Sequence, residues 1–179
     1  MSEFFQYGQP GHYLLLVLLL LCLGGLMLLH RRRGRTGRAE KLQNRYAVMT
    51  QELLDELPDE KLINAVIANL MAKLDETRPD PLVTLPQLSR GRCAVYFSWM
   101  LVKEIEHNGA KALKKKPANR FVDIGVEGLQ TVGATASAQA IVKFLEGEAA
   151  ESVTNALAAE QPLSLCRDYI RANPEEFID

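Results

Sequence analysis

One uninterrupted apolar run, from Tyr13 to Leu29, constrains this chain more than any other feature. Eleven of its seventeen residues are leucine, and no charge or proline interrupts it. A helix of this length reaches roughly 25 Å, close to the bilayer hydrocarbon core of about 30 Å. A buried core helix is less favoured, since such helices rarely lack a polar face. The sequence therefore predicts one transmembrane helix over residues 13–30.

The two flanks of this run differ in charge. Residues 1–12 contain no lysine or arginine, whereas residues 31–45 contain seven basic residues and one acid, a net charge of +6. Because basic flanks stay in the cytoplasm, we expect 1–12 to be a short extracytoplasmic segment and the remainder to lie inside. A cleaved secretory signal is the less favoured interpretation, because it needs positive charge before the run and small residues at a cleavage site.

The basic juxtamembrane linker, residues 31–45, has two compatible interpretations. Its arginines set the topology, and they also suit binding to anionic lipid headgroups. Nucleic-acid binding is less favoured, because no aromatic residues are interleaved and the segment adjoins the membrane. The candidate residues are Arg31, Arg32, Arg33, Arg35 and Arg38.

The remaining residues, 46–179, are enough for one domain with its own core. Their net charge is −6, and within them residues 121–179 hold three bases against ten acids. The apolar residues recur at helical rather than alternating spacing, so we expect one compact all-α cytoplasmic domain of five to seven helices.

Helix boundaries in the first half follow from prolines, caps and apolar spacing. The segment 39–57 is rich in helix formers, and Pro58 with the acids after it predicts the first turn of the next helix. Three prolines predict a stiff loop over 78–86. The apolar segment from Cys93 to Val102 would also suit a buried strand, but the helix is favoured because Asn108-Gly109 supplies a C-terminal stop. We expect this to be the central helix, with Trp99 in the core.

In the second half, Asn119 is expected to cap a helix over 120–132, and Thr135 or Ser137 to cap the next one. That helix is predicted to continue past Gly147 with a kink and to end at Pro162. A last helix is predicted over 164–172.

Recognisable catalytic and metal motifs are missing from the sequence. The three histidines (His12, His30 and His107) are far apart, and Cys93 and Cys166 sit in apolar helical patterns typical of inert buried thiols. We therefore predict no catalytic residue, no metal and no cofactor.

Two charged clusters remain. Glu146, Glu148 and Glu151 are predicted to share one helix; they are the candidate partner-binding residues, although a solvated helix face is the simpler interpretation. Lysines 111–116 suit a solvated loop or a second contact with lipid or an acidic partner.

Residues 88–145 carry three motifs in a recognisable order: Val95-Tyr96-Phe97-Ser98-Trp99, Glu106-His107-Asn108-Gly109 and Gly128-Leu129-Gln130-Thr131-Val132-Gly133-Ala134. Residues 169–177, at the end of the chain, carry a fourth. This order resembles the all-helical DNA-mimic-protein-like domain family of bacteria. Residue Ala110 departs from the family's second turn glycine, and 112–116 replace its aromatic stretch. If that turn shapes a binding surface, the surface differs here.

The resemblance implies a non-enzymatic bacterial protein that binds other proteins through acidic helices, and with the anchor it implies the cell inner membrane. Our expectation is a single-pass, membrane-anchored, non-catalytic protein-interaction module that binds a protein of unknown identity and no nucleic acid directly. The alternative is a DNA mimic that sequesters a DNA-binding protein, since regular carboxylates present a field like a duplex backbone. An unrecognised enzyme or metal-binding protein is less favoured. The alanines at 134, 136, 138 and 140 are compatible with a homo-oligomer.

Overall fold

A computed structural model describes residues 41–75 and 80–179 of the chain. Within them, residues 43–179 form one compact unit. The predicted transmembrane helix at 13–30 and the arginines from Arg31 to Arg38 lie outside the described residues. No helix within the described ranges has both the length and the hydropathy needed to cross a bilayer.

The described residues are helical and contain no strand, which confirms the all-α prediction. Residues 41–45 are helical, and eight further α-helices follow: α1 (Gln51–Glu56), α2 (Asp59–Asp75), α3 (Pro81–Leu88), α4 (Arg90–Asn108), α5 (Val122–Thr131), α6 (Thr135–Glu146), α7 (Ala150–Glu160) and α8 (Pro162–Ala172). Three short 3₁₀ turns cover Ala110–Lys114, Ala118–Arg120 and Pro174–Glu176. The helices outnumber the predicted five to seven because three predicted segments divide or gain a helix.

The central helix is α4, as predicted. Ser89 caps its start by accepting a hydrogen bond from the Arg92 backbone N–H, at 3.0 Å. Gly109 ends it with a φ of 76°, a conformation that glycine adopts without a Cβ clash. Helix α4 contacts α3, α5 and α8, and most of its residues are buried.

The most extensive contact between two helices of the unit joins α4 to α5. A Cβ added to Gly128 would lie 2.7 Å from the Ala94 carbonyl oxygen and 2.9 Å from Ser98 Oγ. The same construction at Gly125 meets the Leu101 side chain at 3.0 Å. These glycines let two helix backbones approach without an intervening side chain.

The predicted loop over 78–86 is wrong, because residues from Pro81 onward form α3. Asp80 Oδ1 accepts a hydrogen bond from the Leu82 N–H at 3.1 Å, and Pro81 occupies the first helical position. An aspartate cap followed by proline begins a helix rather than preventing one. The Arg120 guanidinium lies 2.6 Å from Asp80 Oδ2 and lowers the pKa of that carboxyl.

Neither predicted side-chain cap in the second half is present. Asn119 lies in a 3₁₀ turn, and α5 begins at Val122 without a side-chain cap. Helix α6 is capped from a distance of 23 residues: Glu160 Oε2 accepts from the Ser137 N–H at 2.6 Å. A carboxylate at a helix N-terminus satisfies free N–H groups and is favoured by the helix dipole.

The predicted continuous helix through Gly147 is divided in two. Helix α6 ends at Glu146, Gly147 has a φ of 126°, and α7 begins at Ala150. Near the end of α6, Val142 and Leu145 are 38% and 37% exposed. The glycine therefore turns the chain, so α7 packs back against α6.

Candidate partner-binding groove

Helices α2, α4, α7 and α8 surround a groove of about 690 Å³ that is open to solvent. The first two run antiparallel. Arg92 of α4 and Lys73 of α2 both pair with Asp179, and Tyr96 Oη lies 3.6 Å from Met71 Sδ. The start of α2 consequently lies beside the end of α4, and both line the groove.

The floor of the groove is apolar. Helix α4 contributes Trp99 and Val102, and α7 and α8 contribute Leu157 and Leu163 on the facing side. The Trp99 ring lies 6.2 Å from the Tyr96 ring, centroid to centroid. Trp99 was predicted to lie in the core; it is instead partly buried at the edge of the core and faces the groove.

The rim of the groove is polar, and it carries three acidic and two basic side chains: Asp59, Glu60, Glu106, Lys103 and Arg167. Two of these are already paired with each other, since Lys103 Nζ lies 2.6 Å from Glu106 Oε2. Arg167 donates to Ser164 Oγ at 2.7 Å. The arrangement is an apolar floor with a charged border.

The junction of α7 and α8 also lines the groove. Gln161 adopts a left-handed conformation there, with φ 52° and ψ 64°. Its N–H donates to the Leu157 carbonyl at 2.9 Å, and its own carbonyl accepts from the Ser164 N–H at 2.8 Å. A non-glycine residue in this region carries backbone strain of about 1–2 kcal/mol, which these hydrogen bonds and the packing of Pro162 maintain.

An arginine of α8 fixes the start of α2 against the groove. Arg171 Nη1 donates to the Leu54 carbonyl at 2.5 Å, and Nη2 donates to the Leu57 carbonyl. Its guanidinium also pairs with Asp59 at 3.0 Å. One side chain thereby satisfies the end of α1 and places the rim residue Asp59.

A second polar cluster lies around Asp179 at the other end of α2. Asp179 Oδ2 accepts from the Met49 N–H at 2.9 Å and from Asn69 Nδ2 at 3.0 Å. Its Oδ1 lies 2.8 Å from Lys73 Nζ and 2.7 Å from Arg92 Nη2. Burial acts to raise the pKa of Asp179, but hydrogen bonds from Lys73, Met49 and Asn69 outweigh it and lower the pKa to about 2.

The predicted partner-binding carboxylates do not line the groove. Glu146 ends α6, Glu148 follows the turn and Glu151 is in the first turn of α7; all three are exposed. The prediction that they share one helix is wrong, since Gly147 separates them. The predicted headgroup-binding arginines, from Arg31 to Arg38, lie outside the described residues.

Comparison of the chain with protein-family models, curated proteins and solved structures finds no match. The proposal for its function is therefore based on the geometry of the described residues.

The described residues also show how the acidic, histidine and cysteine side chains are placed. Across residues 41–75 and 80–179, no group of three His, Cys, Asp or Glu side chains is placed to hold a metal ion. Burial raises the pKa of Cys166 to about 12. Burial and the charge of Glu127 raise the pKa of Cys93, which lines a smaller cavity of about 240 Å³. A raised pKa keeps a thiol protonated and unreactive.

The groove was not predicted from the sequence, because its walls combine four helices from three separate stretches of chain. One signal was available: Lys103 and Glu106 follow Trp99 at helical spacing. A central helix that carries charges four and seven residues after its tryptophan has a polar face, and that face borders the groove.

Proposed function

We propose that this protein is a membrane-anchored, non-catalytic protein-interaction module, and that the groove beside Trp99 binds an amphipathic helical segment of its partner. The apolar run from Tyr13 to Leu29 and the +6 charge of residues 31–45 support the anchor and a cytoplasmic helical unit. The groove supports the interaction.

The exposure of Trp99 is the observation that carries this proposal. Trp99 is the only tryptophan in the chain, and it is partly buried at a concave, apolar surface. Tryptophan is enriched among the residues that dominate binding energy at protein interfaces, where the large ring fills a pocket and the indole N–H keeps a polar partner.

The layout of the groove suits a helix. Binding by strand addition needs a sheet edge, and residues 41–75 and 80–179 contain no strand. An amphipathic helix instead places its apolar face on an apolar floor and its charges at the rim. The volume also lies within the range of small-molecule pockets, so the test must separate a protein from a small ligand.

Site-specific crosslinking in native membranes tests the proposal. The full chain would carry a photo-crosslinking residue at Thr154, an exposed position at the groove, or at Glu148, an exposed position outside it. We expect a protein adduct from Thr154 that is lost in Trp99→Ala, and no such adduct from Glu148. Adducts of equal yield from both positions would contradict a groove-specific interaction.

The crosslinked segment, synthesised as a peptide, then provides a direct binding measurement. Because Trp99 is the only tryptophan, its fluorescence reports the groove without labelling. We expect a blue shift that saturates as the peptide is added, because binding removes water from the indole. A peptide that binds without changing the emission would place the interaction elsewhere on the unit.

A second candidate function is a DNA mimic that sequesters a DNA-binding protein. It is favoured by Glu146, Glu148 and Glu151, which are exposed and make no ion pair within the described ranges. This function predicts salt-sensitive capture of a DNA-binding protein, lost when all three residues are changed to glutamine and retained in Trp99→Ala. The groove function predicts the reverse pattern.

A further inference from the structure

A lysine-rich turn follows α4 in the sequence, directly after Gly109. It comprises Lys111, Lys114, Lys115 and Lys116, and we refer to it as the lysine turn. All four residues are exposed, whereas Ala110 and Leu113 between them are 4% and 1% exposed. The two buried side chains fix the 3₁₀ turn to the unit, so the lysines project from an ordered backbone.

Among the residues that the structure describes, no carboxylate forms an ion pair with the lysine turn. The five ion pairs between described residues involve none of its four lysines. Lys114 Nζ instead lies 4.4 Å from the centroid of the Phe144 ring, an attraction that leaves its positive charge in place. Four positive charges within six residues therefore face solvent.

The lysine turn stands out against the remainder of the unit. Residues 46–179 have a net charge of −6 although they include these four lysines. An anionic surface would repel most of this acidic unit, and the lysine turn is the segment with the largest local excess of positive charge. Charge complementarity thus selects both the occupant and the side of the unit that faces it.

We propose that the lysine turn binds the anionic lipid headgroups of the membrane leaflet, as a second contact in addition to the anchor. The inference rests on the membrane anchor of the proposed function. Tethering by residues 13–30 makes the second contact intramolecular, so that a weak electrostatic attraction is sufficient. Lysines near an anionic leaflet gain from its negative surface potential, which decays within a Debye length. The contact would orient the groove relative to the membrane.

Lysine footprinting of the full chain tests this inference. The protein would be reconstituted into neutral phosphatidylcholine vesicles or into vesicles that also contain phosphatidylglycerol, acetylated briefly and analysed by mass spectrometry. We expect acetylation of the lysine turn to be about fivefold slower in the anionic vesicles. Lys61, exposed on α2, serves as the internal control and should react equally in both. High salt should abolish the difference.

Flotation with the neutral vesicles tests the membrane anchor separately from the lipid contact of the lysine turn. A chain that floats with neutral vesicles but shows equal acetylation in both lipids retains its anchor and overturns the lipid contact. A chain that does not float overturns the anchor and this inference with it. Protection that is equally strong in detergent without lipid would show that contacts within or between protein molecules shield the lysine turn. That result also overturns the lipid contact.

A charge-removal variant provides the matched control. The double substitution Lys115→Gln and Lys116→Gln alters exposed side chains only and leaves Lys111 and Lys114 as reporters. We expect their protection in anionic vesicles to weaken, because the attraction depends on the summed charge. The control Lys61→Gln should leave it unchanged. Protection that survives the double substitution at full strength would contradict a charge-based lipid contact.

Discussion

Helix α4 packs against α5 on one side and borders the groove on another, and the two sides are held by different interactions. Toward α5, two glycines bring the helix backbones close enough that a methyl group has no room at Gly128. Toward the groove, α4 presents Trp99 and a charged border, and the neighbouring α2 is positioned by Arg171 and Asp179. The contact between α4 and α5 is close-packed, whereas the groove on the other side of α4 is open to solvent.

The difference separates the part of the unit that determines stability from the part available for binding. A close-packed side tolerates almost no change of volume, because protein interiors pack as densely as organic crystals. A side positioned by polar side chains keeps its shape without being filled. Substitutions should therefore lower stability on the α5 side and alter binding on the groove side.

The largest expected effect compares two aromatic residues of α4. Phe97 is 1% exposed, so Phe97→Ala should lower the free energy of unfolding by about 3–5 kcal/mol. Trp99→Ala, two residues away, removes a ring that already faces the groove and should cost about 1–2 kcal/mol while abolishing partner crosslinking. Urea denaturation of the full chain in detergent, followed by circular dichroism, measures both. Equal losses of stability would mean that Trp99 belongs to the core.

The next effect tests the close contact of α4 and α5. Gly128→Ala places a Cβ against the Ala94 carbonyl, which cannot move without the helix, and should destabilise the unit by about 2–3 kcal/mol. Gly125→Ala is the matched control. Its added Cβ would lie 3.0 Å from Leu101 Cδ2, which can rotate away, and 3.2–3.3 Å from Leu101 Cβ and the Phe97 carbonyl oxygen, which are less close than the contacts at Gly128. Its cost should therefore be about 1 kcal/mol. If the two substitutions had equal effects, the backbone contact at Gly128 would not be limiting.

Sequence reasoning succeeded where one helix carries its own signal. Leu62 and Leu70 are fully buried on α2, in keeping with the helical spacing of the apolar residues, and α4 ends at Asn108 where a glycine follows. Period, caps and glycine act within a few residues, so a single stretch of sequence contains the information.

The predictions from the sequence were wrong or incomplete where a structural feature depends on a residue that is distant in the chain. The cap of α6 is Glu160, from the end of the next helix, and neither Thr135 nor Ser137 substitutes for it. The groove likewise combines four helices, and Asp179 positions α2 through Asn69 and Lys73. No local pattern encodes these contacts, because they depend on tertiary packing.

The polar support of the groove side should respond to Asp179→Asn. This substitution leaves the 7% exposed Arg92 without a carboxylate and should cost about 1–2 kcal/mol of unfolding free energy. Asp168→Asn, on an exposed face of α8, is the control and should be nearly neutral. Urea denaturation at neutral pH compares them, and a neutral Asp179→Asn would show that the cluster contributes little.

The same carboxylate predicts a pH dependence. The pKa of Asp179 is lowered from 3.8 to about 2 in the folded chain. A lowered folded pKa stabilises fully above the unfolded pKa, and the stabilisation disappears as the pH falls through the folded value. The difference in stability between the wild type and Asp179→Asn should therefore be constant above about pH 5 and shrink toward pH 2. A difference that stays constant on acidification would contradict a charged Asp179 as its source.

The smallest expected effect concerns Gln161, where the groove side carries backbone strain. Gln161→Gly removes the Cβ that disfavours a φ of 52°, although glycine also gains freedom in the unfolded chain, so the net gain in stability should be about 0.5–1 kcal/mol. Gln161→Asn should fall between the two, since asparagine tolerates this region better than glutamine. Thermal unfolding ranks the wild type and the two variants by stability.

Because Gln161 lines the groove, the crosslinking yield from Thr154 in each of the three proteins adds a second readout. If Gln161→Gly is more stable and crosslinks normally, the strained residue serves only to join α7 to α8. A stabilised variant with a lower yield would show that the strained turn shapes the groove, so that binding on this side of α4 depends on a conformation that lowers stability.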